Sequence, residues 1–367
     1  MTSTDINQTT YSDLSGTVKN YSVGAKITDG INPVGETYWD SPYFSKWYSY
    51  YKKHPRLKAA INALATWTLG QGYETDPLTK SILDFIKGWG EDTFLSVLWN
   101  LLVTKKINGD AFAEIITLDG TLLSEKGKII NLKPLDPMSI RIVCNPQGKI
   151  IRYEQLSKAN GAITKKFKPE EIFHLCNDRI ADNIHGESII EACQWDLDAI
   201  REAEEDWRRI SHRSTIRVLY IEEDNATRLA AMKQNYADAI KKGELLILPC
   251  KAGEAQFADL TLPPVEQFLA WIRYREDAFY QSLGVPKVIL GGTAENTEAS
   301  SKVGMITFEP TFTREIKELE MDIYNQLGIK IVINKQPSLM DNMYSDEQKN
   351  TGQTNIQPND VTAGSGE

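Results

Sequence analysis

The chain has 367 residues and a net charge of −9, from 41 basic and 50 acidic side chains. That length supports one large or two to three smaller domains with a sizeable buried core. The acidic balance excludes a protein that grips nucleic acid through a coat of Lys and Arg, but not one past which a duplex slides. The four cysteines, Cys144, Cys176, Cys193 and Cys250, make no CxxC pair, so reduced buried thiols are expected rather than a disulfide framework or zinc knuckle. Met1 to Asn20 is polar and lacks the apolar stretch of a secretory signal. The apolar run Phe94–Val103 is broken by Ser96 and Asn100 and is too short to span a bilayer.

In chain order, residues 1–37 are rich in Thr, Ser, Asn, Asp and Gly and read as a flexible arm. The aromatic cluster from Tyr38 to Tyr51 must dock on something, because so many rings need partners. Pro55 opens a helix whose stripe Leu57, Ala60, Ile61, Leu64 is stopped by Gly70. Further helices are predicted over Pro77–Lys87 and Thr93–Ile107. Strands follow at Ala111–Thr117, Asn131–Pro134, Ile140–Cys144, Ile150–Gln155 and Glu171–Leu175. A long helix, about Glu187 to His212, carries Ile189, Cys193, Leu197, Ile200, Trp207 and Ile210 on one stripe, with Arg201, Glu202, Glu205, Arg208 and Arg209 largely off it. A small α/β insert comes next: strand Ile216–Ile221, helix Ala226–Lys242, strand Glu244–Pro249. A second long helix, Val265–Leu283, is apolar on two faces and so wants covering on two sides. Gly291 to Ser301 reads as a polar loop. A helix resumes by about Thr311 and stops at Gly328, with a strand at Ile329–Asn334 and a polar tail over 336–367.

Catalytic signatures are sparse. The chain has no GxxxxGK[ST], HExxH or GxSxG. His174 and His185 bracket Cys176, Asp178 and Asp182, but the spacing reads as strand end, turn and loop rather than a metal site. Glu202, Glu204, Glu205 and Asp206 alternate with arginines, the pattern of a solvated or intersubunit face rather than of catalytic carboxylates.

Four stretches, in this order and spacing, resemble the portal proteins of tailed double-stranded-DNA phages. They are HPRLKAAINALATWTLGQGY (54–73), NGDAFAEI (108–115) with LKPLDPMSIRIV (132–143), FKPEEIFHL (167–175) followed by HGESIIEA (185–192), and GVPKVILGG (284–292) with FEPTFTREIKELE (308–320). The resemblance implies an α+β portal fold: a wing (38–186 and 305–335), a stem helix (187–213), a clip (214–263), a second stem helix (264–284) and a tunnel-loop region (285–304). With little apolar sequence after Asn334, it implies little or no crown.

It further implies a non-enzymatic ring, normally of twelve subunits, at one vertex of the virion capsid, assembled in the host cytoplasm, with no cofactor, metal or membrane. Its partners would be the major capsid protein, the terminase large subunit, a head–tail adaptor and double-stranded DNA bound without sequence preference. Gly291, Gly292, Thr293, Glu295, Asn296 and Lys302 would face DNA, with Lys287 as a further nearby cation. Arg201, Glu205, Arg208, Arg209, Arg273 and Arg275 would belong to the channel and stem, and Arg217, Glu222, Lys241 and Lys242 to clip docking. A head–tail adaptor ring, a hydrolase or nuclease of a mobile element, and a scaffold without a DNA role are the alternative readings.

Overall fold

The computed structural model describes residues 35–117, 129–181, 183–212, 217–221, 225–235, 237, 245–249, 257–259, 265–290 and 298–336. They fall into two units. The first comprises Met1–Glu191 with Gly284–Glu367, and the second Ala192–Leu283.

In the first unit, β1 (Thr37–Asp40) leads into α1 (Phe44–Lys53) and α2 (Pro55–Leu69). The aromatic cluster is therefore a strand and a helix. Trp47 and Tyr51 of α1 are buried, while Tyr43 and Tyr48 stay exposed, so only one face of it needed a partner. After β2 (Tyr73–Glu74) comes α3 (Pro77–Asp84), capped by the Asp76 side chain on the Thr79 N–H at 2.9 Å. It ends three residues earlier than its sequence pattern suggests. Helix α4 (Phe94–Asn108) begins in a Thr93–Ser96 capping box and is apolar nearly all round. It is accordingly the unit's central helix, with Leu98, Leu101 and Leu102 buried, each contributing roughly 2 kcal/mol. It packs on α1, α2 and the strand after it.

That strand is β3 (Asp110–Thr117), the centre of an antiparallel sheet with β4 (Ile129–Leu135) on one side and β8 (Ile172–Cys176) on the other. A second antiparallel sheet runs β1, β5 (Ile140–Cys144), β6 (Ile150–Leu156) and β7 (Ile163–Phe167). Strand β7 was not foreseen: its Ile163, Lys165 and Lys166 are all exposed, so no buried stripe announces it. Phe112, Ile172 and Leu135 from the first sheet share one core cluster with Ile142, Tyr153 and Phe167 from the second.

Helix α8 spans Glu298–Leu327, beginning about thirteen residues before the expected start. Its interior Pro310, which lacks an N–H and disfavours helix at the preceding residue, misplaced that start. Phe308, Phe312, Ile316, Leu319 and Ile323 are buried, and Trp67 of α2 lies 5.8 and 5.5 Å from the rings of Phe308 and Phe312. The predicted final strand is the two-residue β12 (Val332–Ile333), paired with β2.

In the second unit, α5 (Ile189–His212), most of whose length lies here, buries Cys193, Leu197, Ile200 and Ala203. A small sheet has β9 (Arg217–Ile221) at its centre, parallel to β10 (Leu245–Pro249) and antiparallel to β11 (Phe257–Asp259), with α6 (Ala226–Asn235) between β9 and β10 in sequence. Helix α7 (Val265–Leu283) buries Phe279 and Leu283 but leaves Leu269, Trp271 and Tyr274 exposed. Among the described residues, no helix is long and apolar enough to cross a membrane.

Candidate functional site

The stretches NGDAFAEI and HGESIIEA meet at the start of α5. Helix α4 ends at Asn108, and Gly109, at φ +96°, turns the chain into β3. The pairing register of β3 with β8 then sets the neighbours. Asp110 lies opposite Cys176, and Phe112 opposite His174. Alternate residues share a sheet face, so Asp110, Phe112, His174 and Cys176 line up together.

His174 Nε2 sits 2.8 Å from an Asp110 carboxylate oxygen, and the Tyr153 hydroxyl 3.1 Å from His174 Nδ1. The Gly186 N–H donates to both Asp110 oxygens at 3.1 Å. Phe112 stacks on the imidazole at 4.6 Å. Asp110 and His174 are buried, and Cys176 is half-buried. Burial, joined by the Asp110 charge, pushes the Cys176 thiol up to about 12, and burial raises the Tyr153 phenol well above its usual range.

Around this cluster three backbones cross. The Asn177 N–H donates to Gly109 O at 2.7 Å and the Glu187 N–H to Asn177 O at 2.9 Å. A side chain on Gly186 would begin 2.3 Å from Gly109 O and 2.5 Å from Asn177 O. Ser188 donates its hydroxyl to Ile107 O and accepts the Ile190 N–H at 3.2 Å, capping α5. The Trp39 ring stacks on His185 at 3.6 Å. The departure of α5 is thus held by charge-assisted bonds, a cap and a backbone crossing that only glycine permits.

Replacing Asp110 with Ala would strand the Gly186 N–H and a ring nitrogen of His174 in the interior. We expect a loss of about 3 kcal/mol of stability, read from urea midpoints, and a loss within about 0.5 kcal/mol would refute this role.

Beside the cluster lies a cleft of about 690 Å³, lined by Tyr153, His174, Cys176, Arg179, Asp322 and Gln326 among others. Gln326 clasps the His174 backbone, its amide oxygen accepting the N–H and its amide nitrogen donating to the carbonyl, both at 2.8 Å. Burial raises the Asp322 carboxyl above its usual range.

None of the residues expected from sequence to act is among the described members of this cluster. Gly291, Gly292, Thr293, Glu295 and Asn296 fall outside the described residues, as do Glu222, Lys241 and Lys242. Lys302, expected in a loop, is an exposed residue in the early turns of α8. Arg217 opens β9, and the Arg209 backbone is in α5. Arg201 and Glu205 form an exposed pair at 3.4 Å on α5, a geometry worth under about 1 kcal/mol. Arg208 and Arg273 are exposed. Arg275 is half-buried between the helices of its own unit: it pairs with Asp196 at 3.3 Å and lies over the rings of Trp195, Tyr274 and Trp271 at 4.4, 5.0 and 5.6 Å. Here its charge ties α7 to α5.

Sequence reasoning missed Asp110 and Tyr153, and met Gly186 only within HGESIIEA at the start of the long helix. The one available signal was an acidic residue opening an otherwise apolar strand directly after Asn-Gly.

A family profile described as Phage portal protein matches residues 90–322, well over half of the chain. No curated protein matches the sequence. Among solved structures, the chain is similar to one from the neck of a native gene transfer agent particle computed with C12 symmetry, with a TM-score of 0.60 at 14% identity over 91% of this chain and 94% of that one. A chain from the neck of an empty particle computed with C6 symmetry gives a TM-score of 0.61 at 14% identity over 88% and 92%. An HK97 family phage portal protein from Corynebacterium diphtheriae gives 0.52 at 13% over 76% and 92%. At these identities the likeness speaks for a shared mixed helix-and-sheet fold, while the profile match speaks for kinship. The chain belongs to the phage portal protein family.

Proposed function

We propose that this chain is one subunit of a ring, of twelve copies, at one vertex of a phage-like capsid, through which DNA enters under a terminase motor and leaves toward the tail. The family match over residues 90–322 carries this reading. A similar chain in a particle neck computed with C12 symmetry favours twelve copies. In this reading α5 and α7 are the stem helices, residues 214–263 the clip that meets the terminase or a head–tail adaptor, and 291–301 the loop nearest DNA. The first unit forms the wing, with little or no crown.

Two features of the second unit fit a ring wall. Trp195, Trp271 and Tyr274 are exposed at 61%, 39% and 63%, and large aromatics of this kind gain most from cover by a neighbouring copy. The exposed positions of α5 include Asp198, Glu202, Glu204, Glu205 and Asp206 alongside Arg201 and Arg208, an acidic excess that disfavours capture of phosphates.

Purified protein should give rings of about 500 kDa, twelve copies of a 41.4 kDa chain, by native mass spectrometry, with a duplex-wide hole in negative-stain images. Trp271→Glu combined with Tyr274→Glu should shift the population toward free chains. Monomers alone at every concentration tested would overturn the reading. Lys302→Glu is expected to impair DNA packaging or retention while rings still form; unchanged packaging and retention would remove Lys302 from the DNA-facing set.

A further inference from the structure

The register of β3 against β8 brings together three side chains whose combined chemistry the anchoring of α5 does not exhaust. We propose that Asp110, His174 and Cys176 form a binding site for a divalent transition-metal ion of the zinc class, with a fourth coordination position facing the cleft.

The donor set is one carboxylate oxygen, one imidazole nitrogen and one thiol sulfur, all ligand types that zinc takes. The three donor atoms lie within 4.8 Å of one another. Sulfur and nitrogen donors favour zinc-like ions over calcium or magnesium, which take oxygen. Two paired strands hold all three residues on one sheet face, so little chain entropy has to be lost on binding.

The surroundings also match a metal site. A ligating histidine usually has its second nitrogen hydrogen-bonded, which fixes the tautomer. Here the Tyr153 hydroxyl occupies Nδ1 and leaves Nε2 for the ion. The Gly186 N–H on the Asp110 carboxylate orients the second ligand in the same manner. The cleft borders His174 and Cys176 and provides both a way in and room for a water at the fourth position.

The exchange balances. Nε2 of His174 and the Asp110 oxygen, 2.8 Å apart, move to the roughly 3.4 Å separation that two bonds of about 2.1 Å at a tetrahedral angle require. The imidazole proton settles on Nδ1 and is donated to the Tyr153 oxygen. Cys176 binds as the thiolate and releases its proton to solvent. One carboxylate and one thiolate then neutralise the ion, as a largely buried site demands. The ion would cross-link β3 to β8 where α5 begins.

The test uses the full chain, stripped with a chelator and titrated with zinc sulfate by calorimetry and with cobalt chloride by absorption. We expect one equivalent per chain with a Kd of about 1 µM or tighter, a thiolate-to-cobalt charge-transfer band in the near ultraviolet, and a Tm that rises with zinc. Cys176→Ser should abolish the band and weaken zinc binding at least tenfold. Zinc should also slow alkylation of Cys176, located by peptide mapping, a readout that requires no variant to fold. No one-equivalent heat, no charge-transfer band and unchanged Cys176 alkylation would each overturn the site and leave a purely hydrogen-bonded cluster. Equal zinc affinity in folded Cys176→Ser would assign the binding to surface carboxylates and overturn it as well.

Discussion

Gly186→Ala should unfold the first unit or cost it about 4 kcal/mol or more. An added Cβ would stand 2.3 Å from Gly109 O, 2.5 Å from Asn177 O and 2.8 Å from Asn177 N, all backbone atoms that no rotamer change can clear. Relief would require separating the three crossing segments. That separation breaks the Asn177–Gly109 and Glu187–Asn177 bonds and pulls the Gly186 N–H off the Asp110 carboxylate. Losses of that size come only from a few mechanisms, of which forced overlap in a packed core is one. Gly328→Ala is the matched control. Gly328 has positive φ, +66°, but its Cβ would meet nothing within 4 Å, so only the backbone cost of about 1 kcal/mol applies. Urea denaturation followed by tryptophan fluorescence compares the two. If Gly186→Ala lost no more than Gly328→Ala, the crossing would be too soft to hold the chain entering α5.

Glu315→Ala should cost about 3–5 kcal/mol, because it takes from the buried Lys105 and the half-buried Lys106 the carboxylate that binds both. Lys105 of α4, almost fully buried, reaches the Glu315 carboxylate of α8 at 2.7 Å, and Lys106 reaches it at 2.8 Å. Lys106 also donates to Asn177 Oδ1 at 2.8 Å, so this triad is continuous with the backbone crossing. Burial alone would raise the Glu315 carboxyl, but Lys106 and Lys105 outweigh it and hold the group at about 2, against 4.5 for the free residue. A depressed carboxyl contributes its stability above the unfolded value and loses it as protons bind the folded state. The contribution is therefore complete above about pH 5 and fades as the pH falls from about 4.5 toward 2, by about 3 kcal/mol in all. Other carboxylates titrate in that range, so the informative quantity is the difference between wild type and Glu315→Gln. The variant's stability should fall less steeply with acid. Parallel curves would mean that Glu315 is not the carboxylate bearing this linkage.

The hydrophobic periods of the chain specified α2, α4, α5 and α7 to within a residue or two. Pro55, the Leu57–Leu64 stripe and Gly70 bounded α2, and the Cys193–Leu197–Ile200 stripe marked the buried face of α5. These features are local, because a helix's apolar face and its caps lie within a few turns of each other in sequence. The same locality explains the errors. Pro310 broke a pattern that the packing of Phe308 and Phe312 on Trp67 restores, so a continuous helix was read as loop followed by helix. Strand β7 carries exposed lysines and is held by its pairing with β6, a partner its own residues do not name.

The family, too, was legible: of the four stretches that carried the resemblance, all but the first, 54–73, lie within the matched residues 90–322. Element order, mixed helix-and-sheet class and kinship are thus written into the residues themselves. The cluster at the start of α5 exists only in three dimensions. Asp110, Tyr153, His174 and Gly186 are far apart along the chain, and the β3–β8 register and the glycine crossing join them through contacts of 2.8 to 3.1 Å. A buried charge is tolerated only where its partners converge on it, and such convergence is a property of the tertiary fold and not of any segment.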